Sequence, residues 1–176
     1  SGIIVIKDSS ANKAGVSCSS YEIIACLTLS PEEFAEIKPI YVEQVLSIIR
    51  KKADLEAKLL FREWDLQEKK TDLVKLSYDI SAEINYGKDV LLSYLSSFTD
   101  ETLQEKKYLA LLFSHCPQIL IEKYRDRVLE RLPKAHKIAI LSAFAASTLV
   151  YQKGLHMIKQ MQPQEMLEHG IKETPL

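Results

Sequence analysis

Apolar residues recur every three or four positions along most of this 176-residue chain, which is the spacing of amphipathic helices. The longest such stretch, from Ile40 to about Lys69, predicts one long helix. Its apolar stripe consists of Val42, Val45, Ile49, Ala53, Ala57, Leu60 and Trp64. A second stretch predicts a helix that starts near Asp72 and tolerates Gly87. Its stripe consists of Leu73, Leu76, Ile80, Ile84, Leu91 and Leu95.

Two helix-start signals lie in the first forty residues. Ser19 or Ser20 can cap a first helix, because a serine hydroxyl accepts a hydrogen bond from an unpaired N–H of the first turn. The sequence SPEE from Ser30 is a capping box with proline at the first helical position. Pro39 is then expected to end this second helix, because an internal proline removes a backbone hydrogen bond.

Further helix starts follow in the second half of the chain. Thr99 predicts the cap of a helix that runs to about residue 115. Pro117 and Pro133 suit the first turns of two more helices, over 117–131 and 133–152. In the second of these, the small residues of AILSAFAA favour close packing against another helix.

The first residues have a different pattern. Ile3-Ile4-Val5-Ile6 is a β-branched run typical of a strand buried on both faces of a parallel sheet. A single strand cannot form a sheet, and the chain begins with Ser1 rather than Met, so we expect a piece of a longer protein. The predicted fold class is mainly α: a helical bundle preceded by one strand and a loop left from a truncated Rossmann-type α/β domain.

The polar loop KDSSANKAGVSCSS that starts at Lys7 has two compatible interpretations. It can be a simple turn, since Asn12 and Gly15 tolerate left-handed backbone angles and Ser19 can cap the next helix. It can also face a ligand, because open α/β sheets bind ligands at the carboxyl ends of their strands. An asparagine side chain suits a carboxamide, and a serine hydroxyl at a helix start suits a carboxylate.

Composition narrows the classes of partner. The net charge is −1 with acidic and basic residues mixed, so no basic face indicates nucleic acid or an anionic membrane. The longest weakly polar run, 138–151, is shorter than the roughly 20 apolar residues of a membrane span, so no membrane contact is expected. Three cysteines without CxxC spacing favour a reducing, cytoplasmic location.

Several signatures of chemistry are missing from the sequence. The five glycines form no phosphate-binding loop of the dinucleotide or P-loop type. The four histidines have no zinc-site spacing, so we expect no metal. No GxSxG motif occurs, although Ser-His-Asp or Cys-His catalysis stays open because such residues need not be close in sequence.

The stretch IVIKDSSANKAGVSCSSYEIIACLTLSPEEF resembles the end of the nucleotide-binding domain of the large NAD-specific glutamate dehydrogenases. The family pattern is close to KD-[AS]-S-A-N-K-G-G-V-[TS]-S-S-S-x-E-[VI]-[LI]-A. The match is dense from Lys7 to Phe34; further on, LPKAHKIAILSAFAASTLVYQKG is similar to the helical tail of the large enzymes. The resemblance implies a nucleotide-binding end over 1–30, a C-terminal helical domain over 31–170 and a tail over 171–176.

The resemblance also implies roles for three residues. Asn12 matches the asparagine that faces the nicotinamide end of the cofactor, and Gly15 matches the second glycine of the same cofactor-side motif. Ser19 matches the serine that, in smaller relatives, contacts the side-chain carboxylate of glutamate. Ala14 departs from the pattern, since the family usually has glycine there; if a positive φ is needed, alanine costs about 1 kcal/mol or more.

The implied reaction is oxidative deamination of L-glutamate to 2-oxoglutarate and ammonia, with NAD as hydride acceptor and a homo-oligomer as the parent. The family's proton-transferring lysines and acidic residue, and its glycine-rich loop, match nothing in this sequence. We therefore expect no catalytic residue in this piece and no activity from it alone. The alternatives are an autonomous helical interaction or regulatory module, and dehydrogenation of a branched or aromatic amino acid, which Ser19 disfavours.

Overall fold

The structure, a computed structural model, describes residues 4–11 and 14–172. These residues are mainly helical, which confirms the predicted class. The α-helices are α1 (Asp8–Ala11), α2 (Ala14–Thr28), α3 (Pro31–Leu66), α4 (Leu73–Leu95), α5 (Asp100–Leu103), α6 (Lys106–His115), α7 (Gln118–Arg131), α8 (Lys134–Lys153) and α9 (Pro163–Lys172). A 3-10 turn, Ile158–Gln160, joins α8 to α9.

Helix α8 lies at the centre of the bundle, where it packs along α4 and against α9, α6 and α3. Its small residues Ser142, Ala145 and Ala146 are fully buried, which confirms the close packing expected from AILSAFAA. The partner helices carry glycine at the contacts. A Cβ added to Gly87 of α4 would lie 3.3 Å from Ala146 Cβ, and one added to Gly170 of α9 would lie 2.8 Å from Ala145 Cβ.

Helix starts follow the capping signals. Ser30 caps α3 in a full capping box: the Ser30 N–H donates to Glu33 Oε2 at 2.8 Å and the Glu33 N–H donates to Ser30 Oγ. Asp72 caps α4 and Thr99 caps α5 through their side chains. The helix predicted from Thr99 to about residue 115 is in fact two, α5 and α6, separated after Leu103.

The expectation that Pro39 ends a helix is wrong. Helix α3 continues through Pro39 as far as Leu66. Proline removes one backbone hydrogen bond, but Ile37 and Tyr41 on either side of it are buried against the core. The packing of these side chains holds the helix together across the lost bond.

The apolar stripe predicted for the long helix is partly wrong. Val45, Ile49 and Leu60 are buried as expected, whereas Val42 is 42% exposed. The buried face of α3 includes Glu56 instead, whose carboxylate accepts a 3.2 Å hydrogen bond from the Tyr151 hydroxyl of α8. A hydrophobicity pattern cannot place a buried acid, because its burial depends on a partner distant in sequence.

The predicted strand at Ile3–Ile6 is not found among the described residues. Residues 4–7 have no regular secondary structure, and Ile4 and Val5 are 56% and 61% exposed. A strand needs a neighbour to pair its backbone, and the described part of the chain provides none. This segment instead lies beside α4, with Lys7 Nζ 3.6 Å from the ring centroid of Tyr78.

At the C-terminal end, Gly170 lies inside α9 and is buried. Met166 and Leu167 of the same helix are almost completely buried.

Candidate functional site

Two of the three residues matched to the cofactor and substrate positions, Gly15 and Ser19, fall in the first half of α2. Asn12 lies outside the described residues. Gly15 is in the first turn of α2, and Ser19 lies four residues further along the same helix. The expected cap at Ser19 or Ser20 is wrong, because α2 begins at Ala14, and Gly15 lies in a helix rather than in a turn. Since Gly15 and Ser19 are spaced by four, they share one face of α2.

That face continues along α2 as a largely uncharged surface. Ser19 is exposed, and Ile23 and Leu27, one and two turns further on, are 46% and 38% exposed. Cys26 is exposed beside them. The 15 residues of α2 contain a single charged side chain, Glu22. Solvent-facing helix surfaces normally carry several charges, so this outer face of α2, defined by Ser19, Ile23, Cys26 and Leu27, is unusual.

A groove follows the seam between α2 and α3. It consists of two concavities of about 300 and 340 Å³ that share Glu22 and Phe34 as lining residues. The lining is otherwise mainly apolar and includes Tyr21 and Val42; Lys38 contributes a charge. The groove therefore offers apolar surface with one acidic and one basic side chain.

A cluster of buried titratable side chains lies beneath the groove. Tyr21 stacks on His115 with ring centroids 5.2 Å apart. The Tyr21 hydroxyl accepts a 3.1 Å hydrogen bond from Lys52 Nζ. Phe144 contacts the other side of His115 edge-on, with centroids 5.8 Å apart. Tyr21 lines the groove and also contacts His115 and Lys52, so its ring lies between the groove and these two side chains.

Burial determines the charge of this cluster. It lowers the pKa of His115 to about 3, with the Lys52 ammonium acting in the same direction, so this imidazole is neutral at pH 7. Among the described residues, neither ring nitrogen of His115 has a hydrogen-bond partner. Burial also lowers the pKa of Lys52 to about 8 and raises that of the Cys116 thiol to about 12. Cys116 is therefore a thiol rather than a reactive thiolate at neutral pH.

The sequence analysis missed this cluster. Lys52 lies in a run of alternating charges that is typical of a solvated helix face. Its position three residues after the buried Ile49 was the available signal, since that spacing places it on the inner side of α3. His115 gave no signal, because its contacts with Tyr21 and Phe144 join three separate helices.

Hydrogen bonds and ion pairs fix α2 against its neighbours. The Tyr41 hydroxyl of α3 donates to the backbone carbonyl of Tyr21 at 2.7 Å. Arg127 of α7 pairs with Glu33 at 2.6 Å, beside the capping box that starts α3. The hydrogen bond from the Ser30 N–H lowers the pKa of the Glu33 carboxyl below its usual range, and the nearby Arg127 guanidinium adds a smaller effect in the same direction. These contacts hold the corner between α2 and α3 in position.

Residues 4–11 and 14–172 contain neither a candidate metal site nor a candidate membrane-spanning helix. No group of three or more His, Cys, Asp or Glu side chains is placed to hold a metal ion there. Within the same residues, every helix is too short or too polar to cross a membrane.

The chain is similar to several curated proteins that are named as glutamate dehydrogenases. The chain is 33% identical over 167 residues to "Glutamate dehydrogenase 2" of Dictyostelium discoideum, an alignment covering 88% of this chain and 15% of that protein. It is 34% identical over 168 residues to "NAD-specific glutamate dehydrogenase" of Saccharomyces cerevisiae, with the same two coverages. Identity to the protein of that name in Neurospora crassa is 32% over 176 residues, covering 87% and 15%. No family model and no solved structure matches the chain.

The described residues define the class of the protein as a mainly α segment whose first long helix, α2, carries a single charged residue, Glu22. The resemblance to the large NAD-specific glutamate dehydrogenases is confirmed, and this chain is a relative of a part of those proteins. It spans about 15% of the length of the curated relatives that it matches.

Proposed function

We propose that this chain is the C-terminal part of an NAD-dependent glutamate dehydrogenase. The parent converts L-glutamate, NAD and water to 2-oxoglutarate, ammonia and NADH. The observation that carries the proposal is the similarity, over 88% of this chain, to two proteins named as glutamate dehydrogenases. A homo-oligomeric parent and a reducing, cytoplasmic setting belong to the same proposal, and three unpaired cysteines support the reducing setting.

Within the parent, the start of α2 forms one wall of the active site. Asn12 and Gly15 face the cofactor, and Ser19 contacts the side-chain carboxylate of glutamate. The exposure of Ser19 and its position on the same face of α2 as Gly15 support these roles, because both can then face one bound pair of ligands. A hydroxyl is a suitable donor to a carboxylate oxygen.

The helices from residue 31 to 170 brace that wall, and this chain alone is inactive. The Tyr41–Tyr21 hydrogen bond and the Arg127–Glu33 pair support the bracing role, since they tie α2 and α3 to the bundle. The family's hydride-transfer reaction also needs proton-transferring lysines and a phosphate-binding loop, which match nothing in this sequence.

Steady-state kinetics of the full-length parent test the substrate role of Ser19. We expect Ser19→Ala to raise the KM for glutamate at least tenfold and to leave the KM for NAD within twofold. Ser93→Ala is the matched control, because Ser93 is an exposed helical serine of α4 whose hydroxyl bonds only its own helix at Asp89. An unchanged glutamate KM in Ser19→Ala would contradict the proposed wall and would favour a purely structural helical module.

A further inference from the structure

The outer face of α2 carries apolar side chains that remain exposed in the described part of the chain. Tyr21, Ile24 and Ala25 form the inner face and are buried in the core. On the opposite side, Ile23 and Leu27 remain 46% and 38% exposed. Apolar residues on the solvent-facing side of an amphipathic helix are unusual, because that side normally carries charged and polar residues.

The groove between α2 and α3 extends this apolar surface. Val42 and Leu46 of α3 line it, are 42% and 41% exposed, and lie one turn apart on the same side of that helix. The groove adjoins the outer face of α2 at Cys26, which is exposed and also lines the groove. Large contiguous apolar patches on a protein surface often mark interaction sites.

We propose that this patch, formed by the outer face of α2 and the adjoining groove, docks the part of the parent polypeptide that lies outside these 176 residues. The inference rests on the proposed function, in which this chain is one part of a glutamate dehydrogenase. The relatives are long enough to provide the occupant, since the alignments cover only 15% of their length.

The chemistry of the patch defines the surface that covers it. With Glu22 as the single charge of α2, the facing surface of the parent is apolar over Ile23 and Leu27. Glu22 and Lys38, which both line the groove, lie where polar groups of the occupant can pair with them. Ser19 lies on the same face of α2, so docking also encloses the proposed substrate-contacting hydroxyl.

Cys26 is a built-in probe of this docking, because it is exposed on the outer face of α2. The full-length parent is treated with a maleimide, and the modified peptides are quantified by mass spectrometry. A Leu92→Cys parent supplies the reference thiol, since Leu92 on α4 is 39% exposed and lines neither concavity of the groove. We expect Cys26 to react at least tenfold more slowly than the cysteine at position 92. Equal rates would overturn the proposal.

A charge placed in the patch provides the second readout. Ile23→Asp in the parent is expected to raise the labelling rate of Cys26 at least tenfold, because a carboxylate resists burial against an apolar surface. Leu92→Asp is the matched control and is expected to leave that rate within twofold. An unchanged Cys26 rate in Ile23→Asp would overturn the proposal.

Two additional measurements distinguish docking within one parent chain from a contact between copies, and distinguish the docking proposal from the proposed function. Protection of Cys26 that disappears on dilution, together with subunit dissociation in sedimentation, would overturn the proposal in favour of a contact between copies. Turnover is measured on the same sample. An active parent with a reactive Cys26 contradicts the docking alone, whereas a protected Cys26 without glutamate-dependent turnover supports the docking and contradicts the proposed function.

Discussion

The Tyr41 hydroxyl donates a 2.7 Å hydrogen bond to the backbone carbonyl of Tyr21, and both side chains are almost completely buried. This bond joins α3 to the helix that carries Gly15 and Ser19. It forms directly after Pro39, where the sequence predicted the end of a helix. The contact therefore ties α2 to the part of α3 that follows Pro39.

Tyr41→Phe tests that contact. The substitution removes a buried hydrogen bond with almost no change of volume, so we expect a loss of about 1 kcal/mol in the free energy of unfolding. Urea denaturation of this chain measures it. Tyr86→Phe is the control, because Tyr86 is 45% exposed, and it is expected to change stability by less than about 0.5 kcal/mol. Equal effects of the two substitutions would show that the bond does not stabilise the corner.

The close approach of α8 to its neighbours predicts unequal effects of two glycine substitutions. In Gly170→Ala the new Cβ would lie 3.0 Å from the Ala145 Cα, which is backbone and cannot move alone. In Gly87→Ala the nearest atom is the flexible Cδ1 of Ile158. We expect Gly170→Ala to destabilise the chain by about 1–3 kcal/mol, and Gly87→Ala to cost less.

Thermal and urea unfolding of the two variants measure this difference. The double variant Gly170→Ala with Ala145→Gly removes the clashing Cβ, although it leaves the nearby backbone. We expect it to recover part of the stability lost in Gly170→Ala. A Gly170→Ala protein as stable as the original would contradict the tight contact of α9 with α8.

The neutral state of His115 predicts a pH dependence of stability. Its pKa is lowered from the usual 6.5 to about 3 in the folded chain, so between these values the unfolded chain binds a proton that the folded chain does not. Stability therefore falls as pH falls through that interval, by up to about 1.4 kcal/mol per pH unit. His115→Phe removes this proton and is expected to flatten the dependence below pH 6.5.

Urea denaturation at several pH values compares the variants. His156→Asn is the control, because His156 is exposed and asparagine tolerates its positive φ of 72°. Its profile is expected to follow that of the original chain. If His115→Phe also retains the full slope below pH 6.5, the histidine is not held neutral by burial.

The comparison of sequence and structure shows which features are encoded locally. The capping box at Ser30 and the cap at Asp72 were predictable, because each involves residues within one helical turn. The Lys52–Tyr21–His115 cluster was not, since its members come from three helices and each contact depends on the folded arrangement of all three.

The candidate site was predictable in a different way. Gly15 and Ser19 were identified by the resemblance of their motif, and their helical spacing then placed them on one face of α2. The local pattern alone suggested a turn and a serine cap, both of which the structure replaces with a helix that starts at Ala14. The strand at Ile3–Ile6 was proposed from β-branched residues alone, and such a signal requires a pairing partner that the described residues lack.

The most direct test of the account is NADH formation from L-glutamate and NAD, measured for the full-length parent and for this chain alone at equal molar concentration. The account predicts glutamate-dependent NADH formation by the parent and none by this chain. A parent that folds normally but forms no NADH from glutamate would contradict the account, as would turnover by the isolated chain.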